Sequence, residues 1–295
     1  MIPAQFDYVA PSSVEEALQV LADKGDEAKV MAGGQSLLPV LRMRLNAPEV
    51  VVDIGRIEGL RGIRDDGDAL VIGALTTHHD VANDPLVAEH ALLLQLAARE
   101  VADAQIRHRG TLGGALTHAD PAGDLGAPVL ALGASFTIAT QAGSRTVPAD
   151  EFFVDLFETA VGEDGILTEV RVPKHTGWGA RYEKFVRVAH QWPIVAVGAT
   201  VRAEGSSIAE ARVGLTNMGS TPLRARATED ALVGAEATED GVRAACDRAA
   251  EGTSPPSDLN GDAAYRSHLA TVLARRAVLR AAGVEVAGLA TGGAA

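Results

Sequence analysis

An α+β protein of two domains is the fold class this sequence predicts, and three observations carry it. Through the first 172 residues, short apolar strands alternate with amphipathic helices. From Ala180 onward three strands come in succession and three helices follow them, the signature of a sheet with helices on one face. Between the two patterns lies Lys174-His175-Thr176-Gly177-Trp178-Gly179, a run of turn formers that marks a boundary near residue 175.

The first helix spans Ser12 to Gly25. Ser12 or Ser13 caps it, Glu15 or Glu16 completes a capping box, Val14, Ala17, Leu18 and Leu21 form its apolar stripe, and Gly25 stops it. A strand over residues 29–32 breaks at Gly33-Gly34, and a second helix opens at Ser36-Leu37-Leu38-Pro39 and runs to Leu45. Strands over 50–52 and 69–74 come next, the latter turning into Thr76-Thr77-His78-His79. Residues 88–101 read as one helix, and residues 105–124 as a long polar, glycine-containing loop of the kind that usually serves a function. A short helix to Gly133, a strand over 135–140, a turn at Gly143 and a strand over 166–172 close the first region. In the second, strands over 180–188, 194–203 and 209–216 predict an antiparallel meander, and helices lie near 223–233, 240–251 and 262–282. The alanine- and glycine-rich end after Gly283 reads as frayed, with 289–295 a disordered tail.

Composition narrows the function. Of 295 residues, 47% are hydrophobic and 22% charged, with 39 acidic against 26 basic side chains for a net charge of −13, an ordinary soluble profile that disfavours nucleic acid as a partner. Cys246 stands alone, which excludes intrachain disulfides and any all-thiolate zinc or iron–sulfur site, so redox chemistry here has to be borrowed. The start MIPAQFDYVAPSS lacks a signal pattern, and no run approaches the ~20 apolar residues of a membrane span; a cytoplasmic protein is expected.

Two double-glycine segments are the leading motifs: Ala32-Gly33-Gly34-Gln35-Ser36 between a strand and a helix, and Thr111-Leu112-Gly113-Gly114 within the long loop. Glycine lets backbone N–H groups face an anion and lets phosphate oxygens approach without meeting a Cβ, and a helix opening next to it adds a positive dipole end. Ser36, Thr111 and Thr117 would add hydroxyls. Read alone, the pairs fit either a ligand cradle or ordinary turns. On the cradle reading, a bulky residue at Gly33 or Gly114 abolishes ligand retention and leaves the fold intact. Asp120 and Asp124 suit ribose hydroxyls or the cap of the helix near Leu125, and spacing favours the cap. Arg107-His108-Arg109 suits a diphosphate or a solvated loop. Neither His78-His79-Asp80 nor the pair His108 and His118 has zinc-site spacing, so no metal site is expected. The segment Gly34-Gln35-Ser36-Leu37-Leu38 fails the nucleophile-elbow pattern, and neither a P-loop nor a G-x-G-x-x-G fingerprint is present. Trp192 sits at a turn between strands, as a ligand platform or, by base rate, as core.

Ala32-Gly33-Gly34-Gln35-Ser36-Leu37-Leu38-Pro39, Gly73-Ala74-Leu75-Thr76-Thr77 and Ile106-Arg107-His108-Arg109-Gly110-Thr111-Leu112-Gly113-Gly114 together closely resemble the FAD-binding subunit of molybdenum hydroxylases, in particular its carbon monoxide dehydrogenase branch. The likeness runs nearly end to end, through Gly214-Leu215-Thr216-Asn217 and Tyr265-Arg266 to Arg275-Arg276. It implies an FAD-binding PCMH-type (vanillyl-alcohol-oxidase-like) domain over 1–175, with subdomains of about 1–56 and 57–175. A C-terminal domain over 176–288, a three-stranded antiparallel sheet with a helical bundle, would follow.

The resemblance further implies that Ala32 to Ser36, with Thr76 and Thr77, and Thr111 to Gly114 hold the FAD diphosphate and adjoining groups, and that Asp124, Leu167 and Lys184 contact the cofactor. Trp192 falls where relatives carry an aromatic over the isoalloxazine, which reverses the core reading. Ala115 replaces an Asn common after the second glycine pair, removing one hydrogen bond to FAD, while Gln35 replaces a His and Trp192 a Tyr. No catalytic acid or base is expected in this chain. The implied role is an oxidoreductase subunit that takes electrons from an iron–sulfur small subunit, itself fed by a molybdopterin large subunit, and passes them to an external acceptor: quinone, NAD or oxygen. A stand-alone flavin- or nucleotide-binding module is the alternative.

Overall fold

The computed structural model describes residues 1–285; the tail expected over 289–295 lies outside the described residues. Its first layer is a three-stranded parallel sheet in the order β1 (Asp7–Val9), β3 (Val50–Asp53), β2 (Ala28–Met31). Helix α1 (Val14–Lys24) packs Ala17, Leu18 and Leu21 against Val50 and Val52. Its start is the expected one: Ser13 accepts from Glu16 N–H, and the Glu16 carboxylate accepts from Ser12. Gly25 ends it at φ +54. Helix α2 (Leu37–Arg42) follows β2 across the first glycine turn.

The second layer is a five-stranded antiparallel sheet in the order β4 (Ile63–Asp65), β5 (Ala69–Gly73), β10 (Ile166–Pro173), β6 (Ser135–Thr140), β7 (Gly143–Pro148). Between β5 and β6 the chain forms α3 (His78–Asn83), α4 (Pro85–His90), α5 (Leu92–Glu100), α6 (Ala104–Arg107), α7 (Leu112–His118) and α8 (Gly126–Ala131). The single helix expected over 88–101 is two: Asp84 and Pro85 start α4, and Ala91 leaves helical geometry before α5. The expected long loop over 105–124 contains α6 and α7. Helix α9 (Ala149–Phe152) and the small hairpin β8 (Phe153–Asp155), β9 (Glu158–Thr159) precede β10.

The predicted meander is present as β11 (Gly179–Phe185), β12 (Val195–Glu204) and β13 (Ser207–Thr216), extended by the two-residue β14 (Leu223–Arg224). Helices α10 (Arg226–Leu232), α11 (Glu239–Cys246) and α12 (Ala263–Ala281) cover it, and their apolar faces enclose Val195, Val197, Val213 and Leu215. Cys246 lies in that core, where burial pushes its thiol up to about 12 and leaves it no nucleophile. The opposite face of the meander receives α5 and α8. Gly198 leaves room for Leu93, and Gly214 lets the Ala127 backbone approach so closely that a Cβ would sit 2.4 Å from its carbonyl oxygen.

Candidate functional site

A cleft of about 1130 Å³ opens where the parallel sheet, α7 and the connection between β11 and β12 converge. It exceeds the roughly 300–1,000 Å³ usual for small-ligand pockets. Of the residues singled out in sequence, Ala32, Gly33, Gly34, Gln35, Ser36, Thr111, Gly113, Gly114, Ala115, Thr117, Asp120, Asp124, Leu167 and Trp192 line it. Thr76, Thr77, Leu112 and Lys184 do not, and their side chains serve the frame. The Thr76 hydroxyl bonds both N–H and C=O of Gly62, Thr77 caps α3, Leu112 is buried, and Lys184 reaches Asp124.

The first glycine pair forms an open turn. Among the described residues, the N–H groups of Gly33, Gly34, Gln35, Ser36 and Leu37 meet no protein acceptor, while Leu38 N–H begins the helical pattern by donating to Gly34 C=O. Gln35 Nε2 braces the turn on Gly33 C=O at 3.1 Å. Gly34 has φ +75, a left-handed conformation that favours glycine. Gly33 also has a packing role that the sequence did not indicate: a Cβ there would lie 2.0 Å from the Arg109 carbonyl oxygen, so its bareness lets that loop come close. Substitution at Gly33 therefore disrupts the fold itself, contrary to the sequence expectation.

The second pair is not a loop turn. It lies in the first turn of α7, with Thr111 as N-cap, and every early N–H is engaged: Leu112 with Thr76 C=O, Gly113 with Ala74 C=O, Gly114 with the Thr111 hydroxyl, Ala115 with Thr111 C=O. A Cβ on Gly113 would meet Ala74 at 2.6 Å. The motif thus fastens α7 to the end of β5. Thr117 likewise donates to Gly113 C=O. The Arg107 guanidinium donates to Val101 and Ala102 carbonyls, and His79 stacks on His108 at 3.9 Å. His78 lies beneath Gly110 with its Nδ1 unpaired, and burial holds its imidazole neutral down to about 4.

Asp124 caps nothing. It is buried, with Tyr182 OH donating to one carboxylate oxygen at 2.8 Å and Lys184 Nζ to the other at 2.8 Å. Lys184 also donates to Glu100 C=O. Burial pushes the carboxyl up to about 6 against the pull of Lys184 and Tyr182, so it is ionised at neutral pH. Burial beside Asp124 raises Tyr182 well above 10 and keeps it a donor. Asp120 closes its own turn on Ala122 N–H.

Trp192 is 53% exposed on the cleft rim and belongs to no core, against its base rate. Residues to which the sequence assigned no site role hold its segment. Asn217 donates to the Pro193 and Ile194 carbonyls, with its own N–H on Pro121 C=O, and the buried Arg266 donates to Ile194 C=O and pairs with Asp258. No local pattern distinguishes them; only their place in the end-to-end likeness did.

Comparison with known proteins defines the class. Residues 4–175 match the FAD binding domain in molybdopterin dehydrogenase, and residues 180–281 match the CO dehydrogenase flavoprotein C-terminal domain. The chain belongs to this family, as a medium, FAD-binding subunit of the molybdenum hydroxylases; its cofactor is FAD and it is an oxidoreductase component. It is 40% identical over 281 residues to the carbon monoxide dehydrogenase medium chain of Hydrogenophaga pseudoflava, covering 94% of this chain and 97% of that one. To the nicotine 6-hydroxylase medium subunit of Paenarthrobacter nicotinovorans it is 37% identical over 275 residues, covering 93% and 96%. The solved carbon monoxide dehydrogenase of H. pseudoflava lacking the Mo-pyranopterin moiety superposes with a TM-score of 0.93 at 42% identity over 96% of this chain and 99% of that one. Among the described residues no helix is long and apolar enough to cross a membrane.

Proposed function

We propose that this chain holds FAD along the cleft with the diphosphate on the Gly33–Leu37 N–H groups, and works as the electron-transfer subunit of a cytoplasmic assembly. In that assembly an iron–sulfur subunit, supplied by a molybdopterin subunit, delivers electrons, and an external acceptor removes them. The observation that carries the reading is the turn after β2, whose residues line the cleft and whose five consecutive N–H donors find no protein acceptor. Unpaired backbone donors at a strand–turn–helix junction suit a diphosphate. The cleft's volume suits a dinucleotide, and the FAD-binding family match covers this region.

Bound FAD supplies chemistry that no side chain here has: acceptance of two electrons and their release singly or in pairs. The chain's own residues bind and orient it. On this reading Asp124, fixed by Tyr182 and Lys184, offers a charged edge to the cofactor, Leu167 contributes an apolar wall, and Trp192 a platform for the flat ring. Thr111, Gly113, Gly114, Ala115, Thr117 and Asp120 complete the lining. The reading divides the chain into an FAD-binding domain over 1–175, with subdomains near 1–56 and 57–175, and a second domain over 176–288. The relatives are medium subunits of a carbon monoxide dehydrogenase and a nicotine 6-hydroxylase, enzymes named for different substrates, which supports a role in electron transfer and not in substrate choice.

Purification from cells that make the neighbouring subunits tests the proposal. The expected result is a yellow assembly in which this chain co-elutes with an iron–sulfur protein and a molybdopterin protein, and whose flavin is reduced when the hydroxylase substrate is added. A colourless assembly, or a yellow chain that elutes alone and accepts no electrons from any partner, overturns it; the second result favours a stand-alone flavin module.

A further inference from the structure

Backbone strain in this chain gathers at the cleft. Among the described residues, Arg44, Ala102, Ala119, Phe157 and Asn217 are the non-glycine residues with positive φ, and Ala102, Ala119 and Phe157 line the cleft. A left-handed conformation costs an L-residue roughly 1–2 kcal/mol, and a bulky side chain rarely adopts it. Phe157, at φ +58, sits at the tip joining β8 to β9, a position that glycine or asparagine fills most cheaply. It is 53% exposed and belongs to no core. Its ring lies 5.2 Å from that of His118, the residue just before the left-handed Ala119 (φ +51), and both rings line the cleft. Two strained positions therefore fix one aromatic pair that the hairpin itself does not require. Strain of this kind collects at ligand clamps.

Placement selects the ligand group. Helix α7 begins beside the open N–H turn, where the site of a Cβ on Gly114 is 3.5 Å from Ala32 Cβ, and His118 lies one turn further on. The chain continues to Gly123, whose Cβ site is 3.9 Å from the Trp192 ring. Along the chain His118, with Phe157 against it, therefore falls between the diphosphate cradle and the residue that approaches Trp192. We propose that Phe157, backed by His118, is a second aromatic wall for the isoalloxazine ring, in addition to Trp192. This inference rests on the FAD reading above.

The test is Phe157→Gly in the purified assembly, stripped of flavin and titrated with FAD, with ADP in parallel. Removing the strained side chain leaves the melting temperature of the flavin-free protein unchanged or raised. FAD affinity falls roughly three- to tenfold, the scale of one aromatic stacking contact, and the visible flavin band shifts. ADP, which has no isoalloxazine, binds variant and parent alike, and Phe157→Tyr restores FAD affinity. Unchanged FAD affinity in Phe157→Gly overturns the inference while the FAD reading stands, all the more if a co-eluting subunit is lost instead, which would make the tip a docking contact. Equal weakening of ADP and FAD also overturns it. A parent assembly that takes up no FAD overturns both readings.

Discussion

The two glycine pairs look alike in sequence and do opposite things. At Gly33-Gly34 the cleft-lining turn leaves its N–H groups without a protein acceptor; at Gly113-Gly114 the helix start spends all of its N–H groups on the protein. The difference comes from what lies beneath. The ends of β5 and its following turn present the Ala74 and Thr76 carbonyls to the N–H groups of α7, whereas the carbonyl beside the first turn, that of Arg109, packs against Gly33 without accepting from any of the turn's N–H groups. Glycine permits close approach in both places, but only in one is the approaching partner left to be supplied by a ligand. A pair of glycines marks a place where backbone comes near something; whether that something is a phosphate or another strand is decided by hydrogen-bond accounting.

Substitutions can break this contrast. The largest effect is expected at Gly33→Val, whose side chain would meet the Arg109 backbone, which has no rotamer to yield. Unfolding free energy should fall by about 3 kcal/mol or more, read by urea denaturation, and soluble, stable protein from this variant would contradict the packing role. Next is the engaged wall's pH response. The His78 imidazole, held to about 4 by burial, binds its proton in the unfolded chain first, so stability rises with pH from 4 to 6.5 by about 3 kcal/mol at roughly 1.4 kcal/mol per pKa unit. Asp124, raised to about 6, works the other way, its contribution being present below 3.8 and lost as pH rises through 6. The two largely cancel. His78→Gln should uncover the Asp124 slope, making the variant lose stability between pH 4 and 6.5 relative to the parent; parallel curves would remove His78 from the account.

Smaller effects separate the two pairs directly. Gly34→Ala forces a Cβ into φ +75 beside the movable Leu38 side chain, costing about 1 kcal/mol of stability while lowering FAD affinity tenfold or more by disturbing the open donors. Thr111→Val removes the α7 cap at a similar cost, about 0.5–2 kcal/mol, yet should leave FAD affinity within twofold, since Gly114 N–H is directed at Thr111 and not at the cleft. If the two variants weaken FAD equally, the contrast between the pairs is lost.

Much of the architecture was legible in the sequence because local signals agreed. Ser13 with Glu16, Gly25 as a stop, and the alternating strands of the meander all appear where patterning put them. The stretch 105–124 was misread because glycine at two of the first three helical positions argues against a helix, and what overrides it is tertiary: the Thr111 cap and the carbonyls of Ala74 and Thr76. Asp124 was misread as a cap because its partners, Tyr182 and Lys184, lie some sixty residues away, beyond any local spacing rule. Phe157 carried no signal at all, since positive φ at a phenylalanine contradicts every turn preference. In the cleft itself, sequence found the floor and Trp192 on the rim, and missed Phe157.

The Asp124, Tyr182 and Lys184 cluster joins two stretches of chain, one before α8 and one on the first strand of the meander. A charge buried this way is tolerable only with both partners in place; loss of one costs roughly 3–5 kcal/mol. Chimeras that splice the front of one such subunit to the back of another should therefore succeed only when acid, phenol and amine are inherited as a set. In laboratory recombination and in descent alike, these three positions ought to behave as a single heritable character.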